Sequence, residues 1–433
     1  MLTAVTGINW GDEGKGRVID LLAEHADIVV RYQGGNNAGH TVVNKQGKFV
    51  LNLLPSGILH PDVVCVLGDG MVIDLNHLSN EIAQIRTQDV SVSPKNLKLS
   101  TRATISMPWH KIQDELEEAR LSKSGAAFGS TKRGIAYAYS DKYRKKTIRL
   151  GDLLHLDDEN VQARLKTMLE AKTLELAGCY HQEPMSLSAL LSWCKQKSAK
   201  YAPYITDTGA FLENALSKGK RVVLEAQLGA MRDIDYGIFP YTSSSSTISA
   251  YGPIGAGIPG ASLDHVIGVL KAYSTCVGAG PFVAEKAMNG EWTEMVRKYG
   301  SEYGAATGRP RRVGPFDAVA SRYGLKCQHA DKIALTKLDV LSIMDQIPVI
   351  TGYQYKNAVT NVFDPTENLE KYTPVVKMLP GWKTNISNCR SYDELPVNAK
   401  RYISFLEDML RHEIQFVSVG AERNQYLLNG KWL

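Results

Sequence analysis

Two glycine-rich segments hold the residues best suited to chemistry: Gly7 to Arg17 reads GINWGDEGKGR, and Gly34 to Thr41 reads GGNNAGHT. Glycines let backbone N–H groups crowd around phosphate oxygens, a following helix offers the positive end of its dipole, and Lys15 supplies a point charge. Gly11, Gly14 and Gly16 with Lys15 therefore read as an anion cradle. The other reading, a tight turn with solvated charges, gives so much glycine no purpose, although each one costs conformational entropy on folding. The cradle is not a Walker A motif, because Lys15 is followed by Gly16 where that motif has Ser or Thr. Asp12 and His40 sit in the two loops. A carboxylate beside a phosphate binds Mg²⁺ or acts as a base, and a histidine there donates to a phosphoryl oxygen. A lone histidine is usually structural, but His40 follows Gly39 and two asparagines in a loop, which suits a packed core position poorly. The loops converge if the strands before them are neighbours, which is the expectation.

KIALTKLDV places Lys337 and Asp339 just past an apolar run. At that spacing an aspartate can pair with the N1 and N2 hydrogens of guanine while the lysine stem lies along the base, although short KxD strings are also ordinary surface charge. TGRPRR (307–312) sets Arg309, Arg311 and Arg312 in one loop. Arginine forks match carboxylates and phosphates bidentately, so a dicarboxylate or phosphate suits this loop, against a solvated basic segment. KYRKK (142–146) reads better as a solvated face. Gly255, Gly257 and Gly260 satisfy GxGxxG, but a serine-rich segment precedes them and Pro259 interrupts, so a dinucleotide site and a nicotinamide oxidoreductase are excluded.

The elements that must position these residues follow from the apolar pattern. Residues 2–6 form a short run ending at Gly7, and GRVIDLLAEH then repeats apolar residues at helical spacing. Residues 28–32 return as a strand, giving a βαβ unit with its loops at the carboxyl ends of parallel strands, where ligands bind. Similar runs at 63–70, 221–229, 265–273, 332–340 and 414–420 imply a sheet of many strands, and 107–123 and 396–413 read as amphipathic helices with proline near the start. Ser243 to Ser246 reads in isolation as a flexible loop. The 433 residues are 44% hydrophobic and 22% charged, which excludes disordered, collagenous and coiled-coil classes. A net charge of +5 without a basic tail argues against nucleic acid. Six cysteines without CxxC spacing exclude a disulfide scaffold or structural zinc site. Asp12 and Glu13 fall where a secretory signal needs apolar residues and no later stretch is long and apolar enough for a membrane span, so a cytoplasmic protein is expected and the sequon at Asn385 carries no meaning.

Taken together, WGDEGKG (10–16), RYQGGNNAGHT (31–41), LLPSGIL (53–59), GSTKRGI (129–135), DIDYGIFPY (233–241), KAYSTCVGAGPF (271–282), ATGRPRR (306–312) and LTKLDVL (335–341) resemble the adenylosuccinate synthetase family, collinearly from end to end. These are GTP-dependent ligases that join aspartate to inosine monophosphate (IMP) on the way to AMP. The resemblance implies a P-loop-NTPase-like α/β architecture with a large central, mostly parallel sheet flanked by helices. It implies one domain over residues 1–433, with helical and small sub-regions near 100–220 and 340–400. By resemblance, Asp12 takes the N1 proton of the purine and binds Mg²⁺, O6 attacks the γ-phosphate of GTP, and His40 stabilises and protonates the transferring group. The aspartate amine then displaces phosphate, and Gly39 offers its carbonyl to the metal. Gly11 to Gly16, including Glu13, with Gly39, His40, Thr41 and Arg311, resemble the triphosphate site. Lys337, Leu338 and Asp339 resemble the guanine site, and Ser418, Val419 and Gly420 its far wall. Asn37, Ala38, Thr131, Lys145, Gln227, Ser243 and Arg309 resemble the IMP site, and the loop Ala305, Ala306, Thr307, Gly308, Arg309 and Arg311 that of L-aspartate. A homodimer is implied, with Lys145 reaching the nucleotide of the other subunit; nucleic acid and membrane are not partners.

The departures bear on substrate choice. The family usually has Gly-Pro at Ala136 and Tyr137, arginine at Lys145, Cys276 and Pro310, threonine at Ser243 and Ala306, and Thr and Pro at Val419 and Ala421. Its EGAQG is EAQLG here, so Gln227 comes one position early and Leu228 stands in the glutamine's place. Altered nucleotide binding is therefore open. GMP or dGMP as acceptor, giving the 2-amino product, is one alternative; a carboxylate at N1 leaves little room for the 2-amino group. A catalytically silent GTP-binding module is another, opposed by the presence of Asp12, Lys15 and His40.

Overall fold

The structure is a computed structural model and describes residues 1–433 except 45, 126–128, 184, 305–307, 309, 431 and 433. A ten-stranded sheet organises it. From one edge to the other run Tyr426–Leu428, Phe416–Ser418, Lys332–Thr336, His265–Lys271, Leu2–Gly7, Val222–Glu225, Ile28–Arg31, Val64–Leu67, Leu97–Ser100 and Ile205–Thr206. Every neighbouring pair is parallel except the edge pair Phe416–Ser418 and Tyr426–Leu428. The apolar runs seen in the sequence are these strands, continuous because helices cover both faces. Side chains alternate between the layers. Val5, Val29 and Val223 join the core beneath the helices Leu75–Arg86 and Pro108–Lys123, while Ala4, Val30 and Leu224 pack on the opposite face against Leu212 of helix Thr208–Ser217.

The two strands expected to be neighbours are not. Val222–Glu225 lies between Leu2–Gly7 and Ile28–Arg31 and pairs in parallel with both. After Ile28–Arg31 the chain builds one wing of the sheet outward, then returns through helix Thr208–Ser217 to fill the vacant slot. It next crosses to build the other wing from His265–Lys271. The reversal of strand order at this point opens a crevice at the carboxyl ends, and the glycine-rich loops empty into it. Their convergence therefore depends on a third strand that local sequence gave no reason to place there.

Ser243 to Ser246 is also not loose. Ser245 is buried and donates to Gln33 Oε1 at 2.8 Å, and Thr247 N donates to Asp233 Oδ2 at 2.5 Å. Gly255 lies in the short helix Gly252–Ala256 rather than after a strand, consistent with rejecting the dinucleotide motif.

Helix Ala318–Gln328 begins at the buried Asp317, whose Oδ1 accepts from Val319 N and Ala320 N, both at 3.0 Å, while Tyr353 Oη donates to Oδ2 at 2.6 Å. Burial raises its pKa from 3.8 to about 6, outweighing these hydrogen bonds. The ionised form is thus penalised in the folded state: the group's stabilising contribution is complete near pH 4 and is lost as pH rises through about 6. Asp317→Asn retains a capping oxygen without the charge. The melting temperature of this variant, measured against wild type, should improve by a few degrees between pH 4 and pH 7, reflecting about 3 kcal/mol. A gap independent of pH would refute the assignment.

Candidate active site

Helix Lys15–Ala23 starts from Gly14, whose φ of 94° is left-handed, and no side chain caps it. Its first N–H groups are left for an anion. Gly34 has a φ of 75°, and a Cβ there would lie 1.1 Å from Gln227 Nε2, so the second loop turns where only glycine fits. Asp12, Gly14, Lys15 and Gly16 from the first loop, and Asn37 to Thr41 from the second, line one cleft of about 440 Å³ with Arg311, Lys337, Asp339, Ser418 and Gly420. The tight loop of Lys15 is set by charge: its Nζ donates to Glu13 Oε2 at 2.8 Å and to the Leu228 carbonyl at 2.5 Å. Glu13 turns into the protein, where Oε1 accepts from Asn9 N and Gly11 N.

On one wall, His40 Nδ1 lies 2.5 Å from Glu225 Oε1. Burial drives the His40 pKa down against the pull of this carboxylate. Burial alone would raise Glu225, but His40, Arg31 and Ser56 together hold it below the ordinary carboxylate range. On the other wall, Arg311 Nε lies 2.9 Å from Asp12 Oδ2, and its NH1 donates to Glu302 Oε2 at 2.6 Å. Glu302 is fully buried and also accepts from Lys271 Nζ at 2.9 and 3.0 Å and from Tyr273 Oη at 2.6 Å. Burial opposes its charge, yet Lys271, Arg311 and Lys337 bring its pKa down to about 2.

At the far end, Lys337 Nζ donates to Gly300 O at 2.9 Å, and Asp339 Oδ1 is buried without a hydrogen-bond partner among the described residues. Burial raises the pKa of Asp339 against the pull of Lys337. An orphaned carboxylate oxygen facing a cleft is an acceptor awaiting a donor. The wall opposite is strapped by Arg17, which donates to Ser418 Oγ at 2.7 Å, to the carbonyls of Glu422 and Gln425 at 2.5 and 3.0 Å, and to that of Gly420.

Other residues singled out in the sequence stand elsewhere. Gly11, Leu338 and Val419 are buried behind the lining, Thr131 and Lys145 are exposed outside it, and Ser243 is half-buried. Gln227 is buried behind the second loop, accepting from Arg31 NH2 at 2.9 Å and donating to Asn37 Oδ1 at 3.0 Å, while Leu228 lines the cleft at a φ of 60°. Arg312 turns away to Glu285 and the Gly280 carbonyl. Gly308 is exposed with a φ of 65°, and Ala305, Ala306, Thr307 and Arg309 lie outside the described residues. Sequence reasoning passed over Arg17, Lys271 and Glu302. Glu225, ending an apolar strand, carried the one usable signal: charge where the pattern demands burial.

Among the described residues no cluster of three or more His, Cys, Asp and Glu side chains could hold a metal ion. Asp12 is the carboxylate on the cleft just before the start of the uncapped helix. That donor set fits a hard cation that keeps its waters and takes its remaining oxygens from substrate phosphates, and it does not fit a protein-built cage.

A doubly wound α/β sheet with an uncapped glycine-rich helix start at its switch point, an orphaned carboxylate beside a lysine, and a histidine backed by a buried acid defines a nucleotide-binding protein of the phosphoryl-transfer class. The comparisons are more specific. The chain belongs to the adenylosuccinate synthetase family, whose model matches residues 4–427. It is 40% identical over 428 residues to the adenylosuccinate synthetase of Caldanaerobacter subterraneus subsp. tengcongensis, covering 99% of each chain. It is 42% identical over 423 residues to that of Carboxydothermus hydrogenoformans, covering 98% of this chain and 97% of the relative. The fully ligated adenylosuccinate synthetase of Plasmodium falciparum superposes with a TM-score of 0.90 at 36% identity, over 99% of both chains. A cyanophage S-2L succinoaminodeoxyadenylate synthetase bound to dGMP and dATP shares the fold at a TM-score of 0.59 and 17% identity, over 99% of this chain and 95% of that one.

Removing the Glu302 carboxylate would leave Lys271 buried without its counter-charge and Arg311 with Asp12 alone. Glu302→Gln should therefore cost about 3 kcal/mol or more in urea unfolding, whereas Lys220→Met, at the exposed pair with Asp27, should change it by less than about 1 kcal/mol. Equal effects would remove Glu302 from its place at the centre of this wall.

Proposed function

We propose that this chain is a GTP- and Mg²⁺-dependent ligase that forms adenylosuccinate from IMP and L-aspartate, with release of GDP and phosphate, the step that commits IMP to AMP. The observation that carries the reading is the meeting in one cleft of Asp12, His40 backed by the buried Glu225, the uncapped start of helix Lys15–Ala23 and the orphaned Asp339. Asp12 takes the N1 proton of IMP, and O6 attacks the γ-phosphorus of GTP. The P–O bond to GDP breaks as the bond to O6 forms, and His40 Nε2 lies against the oxygens of the transferring group. The aspartate amine then adds at C6 and phosphate departs. Asp12 and the Gly39 carbonyl would hold Mg²⁺, which supplies charge neutralisation along the triphosphate. The N–H groups after Gly14, with Lys15, bind phosphate oxygens, so positioning and electrostatics carry most of the rate. Asp339 accepts from N1–H and N2–H of guanine. Arg309 and Arg311 serve the carboxylates of aspartate and neighbouring phosphate oxygens, and Arg311 must exchange its contact with Asp12 for them. Asn37, Ala38, Thr131 and Ser243 surround IMP, with Gln227 supporting Asn37 from behind. A cytoplasmic homodimer completes the reading, in which exposed Lys145 reaches the nucleotide of the second subunit.

Acceptor choice is tested by following absorbance near 280 nm with GTP, Mg²⁺ and aspartate fixed and IMP, GMP and dGMP compared. Product from IMP alone is expected. Product from GMP or dGMP would replace the acceptor, and no product from any of the three would leave a silent GTP-binding module. Asp12→Asn should abolish turnover while leaving nucleotide binding largely intact. Asp339→Asn removes the guanine acceptor, so the KM for GTP should rise about 100-fold with kcat little changed, and xanthosine triphosphate, which carries a 2-oxo group, should be favoured. An unchanged preference for GTP would displace the base from this end of the cleft.

A further inference from the structure

The fold joins LLPSGIL to the strand end at Glu225 behind His40. Glu225 has no exposed surface. Ser56 fixes both of its oxygens: Ser56 N donates to Oε2 at 2.8 Å and Ser56 Oγ to Oε1 at 2.7 Å. The same Oε1 faces His40 Nδ1 at 2.5 Å, and Nε2 has no protein partner among the described residues. Gly16 of the phosphate loop makes this stack possible, since a Cβ there would stand 3.1 Å from His40 Cβ and 3.4 Å from Ser56 Oγ.

Resting on the ligase reading above, we infer that Glu225, anchored by Ser56, is a positioning residue for His40: by accepting from Nδ1–H it fixes the ring so that Nε2 faces the transferring phosphoryl group, to which Nε2 donates when the ring carries its second proton. A neutral imidazole has two tautomers and a ring that can flip, and the partner of one nitrogen decides what the other offers. An acceptor-only carboxylate admits a hydrogen at Nδ1 and nothing else. Because Ser56 holds both oxygens of Glu225, the carboxylate cannot swing to follow a rotated ring. Glu225→Gln keeps the shape but sets an amide N–H₂ against Ser56 N–H or against the ring, so both orientations of His40 become populated.

The experiment compares wild type, Glu225→Gln, His40→Asn and the double variant in the full assay, with melting temperature recorded for each. Glu225→Gln should lower kcat about 100-fold while KM for GTP and IMP stays within a few-fold. In the His40→Asn background the same change should cost less than about twofold, because the group it positions is gone. A kcat within threefold of wild type, or an equal loss in both backgrounds, overturns the inference and leaves Glu225 a structural acid. Should Glu225→Gln fail to fold, Ser56→Ala removes one anchor only, and about a tenfold loss of kcat confined to the His40 background is expected. Ring-¹⁵N NMR of histidine-labelled protein reads the tautomer without turnover: Nδ1–H for His40 in wild type and a mixture in Glu225→Gln. Nε2–H without Nδ1–H in wild type would refute the inference even with normal kinetics. A wild type that shows Nδ1–H yet makes no adenylosuccinate would defeat the ligase reading and leave the His40 geometry standing.

Discussion

A carboxylate with no exposure ends the central strand of the sheet, and the surrounding structure is arranged to tolerate it. Taking the Glu225 charge out of water is expensive unless every lone pair is met. Ser56 is brought in by the short turn Ser56–Leu59, His40 by the second glycine loop, and Arg31 by the adjoining strand, whose guanidinium reaches Asn52 O at 3.0 Å and Gln227 Oε1 at 2.9 Å. Glu81 then closes the rear by accepting from the N–H groups of Asn52, Leu53 and Leu54. Each glycine-rich loop is thus held in place partly by its debt to buried charge.

The opposite wall repeats the device with the signs arranged differently. Glu302 gathers Lys271, Arg311 and Tyr273, and through Arg311 it reaches Asp12. The cleft therefore lies between a buried acid that serves a histidine and a buried acid that serves an arginine. Lys15, tied to Glu13 and to the Leu228 carbonyl, is poised between them. A polyanion entering here competes for cations that are already partnered. It wins only where it offers several oxygens at once to the free N–H groups of helix Lys15–Ala23, as a triphosphate does and a single carboxylate does not.

Much of this was legible in the sequence because the relevant signals are local. The apolar runs became the strands of the large sheet, Pro108 and Pro396 mark the starts of Pro108–Lys123 and Val397–Leu410, and the cleft gathers Asp12, His40, Lys337 and Asp339. The misjudged feature is long-range. Nothing near residue 31 reveals that a strand from residue 222 will intervene, since the order of strands is decided by packing across the whole sheet. The serine run failed for a related reason: its composition suits a loop, and its buried partners, Gln33 and Asp233, lie in other segments. Arg17 was read as the end of a motif, while its side chain organises a turn some 400 residues further along.

EAQLG shows how one displaced residue is absorbed. Gln227 does not reach the cleft; its amide accepts from Arg31 and donates to Gln33 and Asn37, which supports the loop that carries His40. Leu228 takes the cleft position instead, at a φ of 60° that costs a branched side chain of this kind about 1–2 kcal/mol. That strain is held because its carbonyl anchors Lys15 and its Cα fills the space beside Gly11, 3.1 Å from where a Cβ would stand. The backbone oxygen therefore performs a polar role on the phosphate side while the side chain presents an apolar surface to the cleft. An isobutyl group cannot donate to a purine oxygen. The polar groups at this point of the cleft come instead from the neighbouring loop, where Asn37 lines the wall and its Oδ1 is held by Gln227 Nε2 at 3.0 Å.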